Sequence, residues 1–243
     1  MNELMIPDWS LPASVKACST TRYGGYSTAP WQTFNLAMHV GDDEAKVRAN
    51  RQHLRQKAGL PCEPHWLDQV HGTHVMNLAS PVNVPCEADA SWTNQPGLVC
   101  AVMTADCLPV LFCSKNGQEI AAAHAGWRGL CHGILENTLR QFSVPIEDIM
   151  AWFGPAIGPH AFEVGEEVRS AFMAVDPNAA LAFKPVGNKY FADLALLATQ
   201  RLNRLGLTDI SYSGACTYQL PHYFSWRRDG ETGRMASMIW RVS

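Results

Sequence analysis

Three short apolar runs crowd the middle of the chain, at 98–103, 108–113 and 120–123. They are too short for helices, and they lack the polar alternation of a strand with one wet face. Continuous runs of this length fit strands buried on both sides. Such strands need cover on each face, so the chain must build a layered structure. Further strands are expected at 15–19, 66–71, 73–78, 150–153, 210–213 and 235–240. Helical stretches read at 42–58, 126–142, 166–175 and 193–205. The first opens on Asp42-Asp43 and closes at Gly59 and Pro61, which is good helix punctuation. In the second, Ile134, Leu135, Leu139 and Phe142 share one face. Strands and helices alternate unevenly. The expectation is therefore α+β, with mixed sheets and helices outside, and not a regular βαβ array. No stretch reads as a linker, so one domain is expected over 1–243.

Composition narrows the function classes. Apolar residues make up 47% and charged residues 17%, enough for a large core and the wrong balance for disorder. Net charge is −3, with Lys and Arg scattered, so neither a nucleic-acid surface nor a membrane surface is expected. The opening residues carry Glu3, Pro7 and Asp8 without a basic flank before an apolar run. That predicts no signal peptide and a cytoplasmic location. No segment has the roughly 20 apolar residues of a membrane span. The eight cysteines form no C-x-x-C pair, and reduced thiols are expected.

Three segments carry candidate chemistry. Gln69-Val70-His71-Gly72 ends one expected strand, Thr104-Ala105-Asp106-Cys107 interrupts another, and His124-Ala125-Gly126-Trp127-Arg128-Gly129 ends a third. Strand ends on one rim can bring distant residues together. Two imidazoles and a thiolate, His71, Cys107 and His124, suit Zn²⁺ with one position left open. The same residues allow a second reading, in which Cys107 is a nucleophile and His124 its base. Spacing alone does not choose between them. Asp106 is the candidate proton carrier, against the alternative of a turn residue. His74, three residues after His71, would face the other side of a strand and is left outside the site. Arg22 in TRYGG and Arg128 in GWRG suit a phosphate or carboxylate. Trp127 and Phe153 are expected to pack in the core before they stack on a ligand.

Together these segments resemble a known family. TRYGGYS at 21–27 with its preceding Thr, Asn35-Leu36, Asn50-Arg51, QVHG, EADA at 87–90, TADCLPV, HAGWRG and GPAIG are similar to the YfiH family. Its members have been called multicopper polyphenol oxidoreductases, laccase-domain proteins and purine nucleoside phosphorylases. The match runs from about residue 15 to the C-terminus. The resemblance implies an α/β/β/α layering and zinc on His71, Cys107 and His124. It implies phosphorolysis of adenosine, inosine and methylthioadenosine, and deamination of adenosine. It also implies a link to peptidoglycan editing against misincorporated serine. Substrates would be purine nucleosides and phosphate, held by Arg22, Arg128 and Asn35, in a monomer or homodimer.

The laccase label meets a chemical objection. Such copper centres need several His-x-His pairs, and the nine histidines include none. Copper could still occupy the three ligands. The alternatives to a zinc nucleoside enzyme are a Cys107–His124 hydrolase or amidase, a copper-dependent polyphenol oxidase and a non-catalytic metal-binding partner.

Overall fold

The computed structural model describes residues 3–79 and 86–242. Two sheets lie face to face. One has the order β1 (Leu4–Met5), β2 (Val15–Thr20), β13 (Met235–Arg241), β5 (Val99–Thr104), and all its pairings are antiparallel. The other has the order β12 (Ile210–Tyr212), β8 (Ile149–Phe153), β6 (Leu108–Ser114), β7 (Ile120–Ala125), β4 (Ala90–Thr93), β3 (Val75–Asn77). It is mixed, with parallel pairs at both edges. A small hairpin sheet, β10 (Phe183–Val186), β11 (Lys189–Ala192) and β9 (Glu163–Val164), packs outside.

The apolar runs are explained by which way each residue points. On β6, Leu111 and Cys113 face the space between the sheets, while Val110 and Phe112 face outward. On β5, Cys100 and Val102 point inward; Val99, Ala101 and Met103 point to the opposite side. Both faces are apolar because both are covered, so the period of two is hidden. α1 (Glu44–Ala58) covers the four-stranded sheet through Leu54. α2 (Trp127–His132), α3 (Ile134–Leu139), α4 (Glu166–Val175) and α5 (Leu194–Leu205) cover the six-stranded sheet. The α/β/β/α layering and the α+β class are as expected.

Two local expectations need correction. The helix read over 126–142 is two helices, because Gly133 stands between them at φ 101°, a left-handed conformation that glycine permits and a helix interior does not. The strand read over 66–71 is absent. Among the described residues the segment makes one isolated bridge, at Asp68, and His71 sits in a bend at φ 59°. Its amides turn toward a buried carboxylate, as described below. No helix among the described residues is long and apolar enough to cross a membrane.

Candidate metal centre

Strand register assembles the centre. β6 and β7 are antiparallel, with Leu108 opposite Ala125 and Pro109 opposite His124. Cys107, just before β6, therefore lies across from Gly126, beside His124. β4 pairs Ala90 with Ala123, which puts Asp89 next to His124. The chain crosses from β5 to β6 through Ala105-Asp106-Cys107, and Asp106 makes the turn at φ 94°. A non-glycine residue in that region is uncommon, and two of them, His71 and Asp106, flank one site.

The donor atoms of His71, Cys107 and His124 all lie within 4.8 Å of one another. Cys107 Sγ is 3.8 Å from His71 Nε2. Zn–S and Zn–N bonds at a tetrahedral angle would separate sulfur and nitrogen by about 3.5 Å. The three side chains thus fit a single tetrahedral ion. His124 is buried at 2% exposure, Cys107 is half-buried and His71 is exposed, so the centre is open on one side.

Asp89 organises it and escaped the sequence reading, though EADA contained it. Its carboxylate is fully buried. Oδ1 accepts from His124 Nδ1 at 2.8 Å and from the His71 amide at 2.9 Å. Oδ2 accepts from the Gly72 amide at 2.6 Å and the Val70 amide at 3.2 Å. Three successive amides around one anion form a nest. One carboxylate thereby fixes the backbone of one ligand and the ring of another, leaving His124 Nε2 for the metal. Burial alone would raise the Asp89 pKa, but the His124 ring and the amides hold it below the usual carboxylate range. Gln69 adds a clip, donating to Met103 O at 2.8 Å and accepting from Met103 N at 2.7 Å. Asp89→Asn should weaken metal binding about 10- to 100-fold, because an NH₂ would oppose N–H groups; chelator competition measures this.

Charge sets the pH behaviour. Burial opposes a charged thiolate, yet the His124 and His71 imidazoles bring Cys107 down to about 6. Burial likewise opposes a charged His124, but Cys107 and Asp89 push it up to about 9. Metal needs thiolate and neutral imidazole, so between these values binding displaces about one proton, from His124. Affinity should tighten by about tenfold per pH unit in that window and weaken more steeply below it. Calorimetry in buffers of differing ionisation enthalpy reads the released proton. An affinity independent of pH would contradict the assignment.

The centre opens into a cavity of about 440 Å³ lined by both sequence candidates and unforeseen residues. Trp127 and Arg128 line it, with the Arg128 guanidinium 4.5 Å from the Trp127 ring. Arg227, Arg234, His39, Phe162 and Trp226 complete much of the wall. Arg234 arrives because its neighbour Met235 pairs with Thr104, a contact with no local sequence signal. Asp106 lines the cavity, but its oxygens are committed, Oδ1 to the Thr217 hydroxyl at 2.6 Å and Oδ2 to the Arg227 amide at 2.7 Å.

Arg22 and Asn35 lie elsewhere. Neither lines the cavity. Arg22 pairs with Asp229 at 3.4 Å and donates to Gln32 O. Asn35 is fully buried and uses both ends of its amide on Ala37, Asp42 and the Arg234 backbone. His74 bonds to Glu87 O at 2.8 Å and is not among the cavity residues. Phe153 is buried in the core.

Comparison with known proteins places the chain among relatives. The family model described as multi-copper polyphenol oxidoreductase laccase matches residues 16–242. Purine nucleoside phosphorylase YfiH of Escherichia coli is 54% identical over 243 residues, covering 100% of each chain. A purine nucleoside phosphorylase of Pseudomonas aeruginosa is 49% identical, covering 99% of each. The crystal structure of a Neisseria meningitidis protein matches with a TM-score of 0.96 at 47% identity, covering 100% of both chains. YlmD from Geobacillus stearothermophilus matches with a TM-score of 0.89 at 29% identity, covering 100% of this chain and 97% of that one. The chain belongs to this laccase-domain family, the family of the YfiH proteins.

Proposed function

We propose that this chain is a zinc-dependent purine nucleoside phosphorylase acting on adenosine, inosine and methylthioadenosine, with adenosine deamination as a second activity. The observation that carries the reading is the cavity. It joins a three-ligand metal centre to three arginines and three aromatic rings. The names of the relatives support it. His71, Cys107 and His124 would hold the ion, which when bound supplies Lewis acidity at neutral pH.

The residues divide the work by chemistry. Arg128 makes no hydrogen bond or ion pair among the described residues, so its five donors are available to phosphate. Arg227 and Arg234 are partly tied to backbone carbonyls, of Glu163 for the first and of Thr232 and Gly233 for the second. That fixes two cations around the same space. Trp127, Phe162 and Trp226 offer faces to a planar base. Asp106 acts as a positioning residue. It fastens Thr217 and the Arg227 backbone beside Cys107.

The test is incubation with inosine or adenosine, with and without phosphate, followed by chromatography. Free base and ribose 1-phosphate appearing only with phosphate support phosphorolysis, and inosine from adenosine supports deamination. Free base released at the same rate without phosphate would sink the phosphorylase reading.

One observation favours a second reading. Cys107, His124 and Asp89 also make a thiolate–imidazole–carboxylate series, the arrangement of a thiol hydrolase or amidase. That chemistry suits a role in cell-wall editing. Chelation separates the two: it should abolish nucleoside turnover and spare a thiol dyad.

A further inference from the structure

Most titratable side chains of the cavity wall, and Gln69, already have partners. Asp106 is committed to Thr217 and Arg227, Gln69 to Met103, and His124 to Asp89. Arg227 and Arg234 hold backbone carbonyls. His71 and Cys107 face each other. Among the described residues, the titratable lining groups left without a hydrogen bond or ion pair are Arg128 and His39. Arg128 suits an anion. His39 needs another partner.

His39 stands on a firmly held loop. Asn35 ties both the N–H and C=O of Ala37 and accepts from the Arg234 amide at 3.0 Å. Asp42 Oδ2 binds Asn35 at 3.0 Å and the Ser27 hydroxyl at 2.6 Å. The Trp31 indole donates to Val40 O at 3.0 Å. Asn35 therefore joins the His39 loop to the start of the strand that brings Arg234. Burial, then the nearby Arg234 and Arg51, lower the His39 pKa, and Asp68 opposes them. The ring is thus uncharged at neutral pH, with one N–H donor and one nitrogen acceptor.

We propose that His39, which lines the cavity without a protein partner among the described residues, hydrogen-bonds the departing purine at the ring nitrogen where negative charge collects. The inference rests on the phosphorolysis reading. In that reaction the C1′–N bond breaks with its electron pair moving onto the base. A phosphate oxygen forms the new C1′–O bond. The proton on the released base comes from hydrogenphosphate by way of water. His39 keeps its own proton throughout. A neutral imidazole is a suitable electrophile for such charge, because its ring needs no prior protonation.

The experiment measures inosine phosphorolysis and zinc content in wild type, His39→Ala, His39→Phe and His39→Gln. Phe fills the space without a donor; Gln supplies an amide N–H. The expected result is kcat about 100-fold lower for Ala and Phe, at least tenfold recovery for Gln, unchanged KM for phosphate and unchanged zinc. Near-wild-type kcat in Phe, no recovery in Gln, or loss of zinc in step with activity would each overturn the assignment. A wild type that turns over inosine alongside an unaffected Phe variant refutes His39 alone. A wild type with no phosphate-dependent turnover refutes the parent reading and this one with it.

Discussion

His71→Ala is expected to release the metal and lower phosphorolysis by about a thousandfold or more, while the protein stays folded. His71 is exposed; its amide holds Asp89, and its ring meets the other two ligands, Cys107 at 3.8 Å and the His124 ring at 4.8 Å between centroids. Alanine keeps that amide. It adds little strain of its own, since His71 already holds φ 59° against steric preference. Only the imidazole is lost, and with it one of three ligands. Metal analysis should fall from one zinc per chain to a trace. The melting midpoint should match that of metal-free wild type. Retained zinc with lost activity would mean that His71 serves the substrate and not the metal.

Gly126→Ala should be nearly as severe, for a reason no ligand count reveals. A Cβ at that position would lie 2.6 Å from His71 Cδ2 and 3.1 Å from Cys107 Sγ. The first distance is well inside contact, so His71 must move. Neither ligand can shift far, because the Asp89 nest holds the His71 backbone and strand pairing holds the segment around Cys107. The expected outcome is zinc affinity weakened about 100-fold or more, with cobalt substitution showing altered thiolate charge-transfer absorption. Gly126 has ordinary helix-entry backbone at φ −62°, so alanine imposes no backbone penalty there. An unchanged spectrum and affinity would show that the ligands sit elsewhere in the metal-bound protein.

Much of this architecture is legible in the chain. The runs at 98–103, 108–113 and 120–123 mark strands because burial on both faces removed every polar residue from them. The helix ending at Ala58 is marked by the Asp43 cap, which accepts from Ala45 N, and by Gly59 at φ 63°. What escaped left no local pattern in the sequence. The β10–β11 hairpin, FKPV and KYFA, is half exposed and carries no continuous apolar run. The bend at His71 depends on a carboxylate 18 residues away. A local reading of WLDQVH sees only a strand.

The site divides in the same way. His71, Cys107 and His124 were identifiable as chemical types beside small residues, and the structure brings them together. Arg128 also reaches the cavity. Arg22 and Asn35 were attractive as polar groups in distinctive motifs, yet they are consumed by internal bonds. Asn35 does contribute at one remove, by fastening the His39 loop to Arg234. Arg227 and Arg234 sit in unremarkable sequence and reach the cavity only because α6 (Trp226–Asp229) and β13 pack against the Asp106 turn.

One metal ion on His71, Cys107 and His124 is expected to drive phosphorolysis in the adjoining cavity. Zinc and phosphate-dependent cleavage of inosine are to be measured on one sample, before chelation, after it, and after zinc is restored. The expected result is one zinc per chain, loss of ribose 1-phosphate formation on chelation and its return on reloading. Full turnover by protein shown to be metal-free would rule out a role for the ion in catalysis.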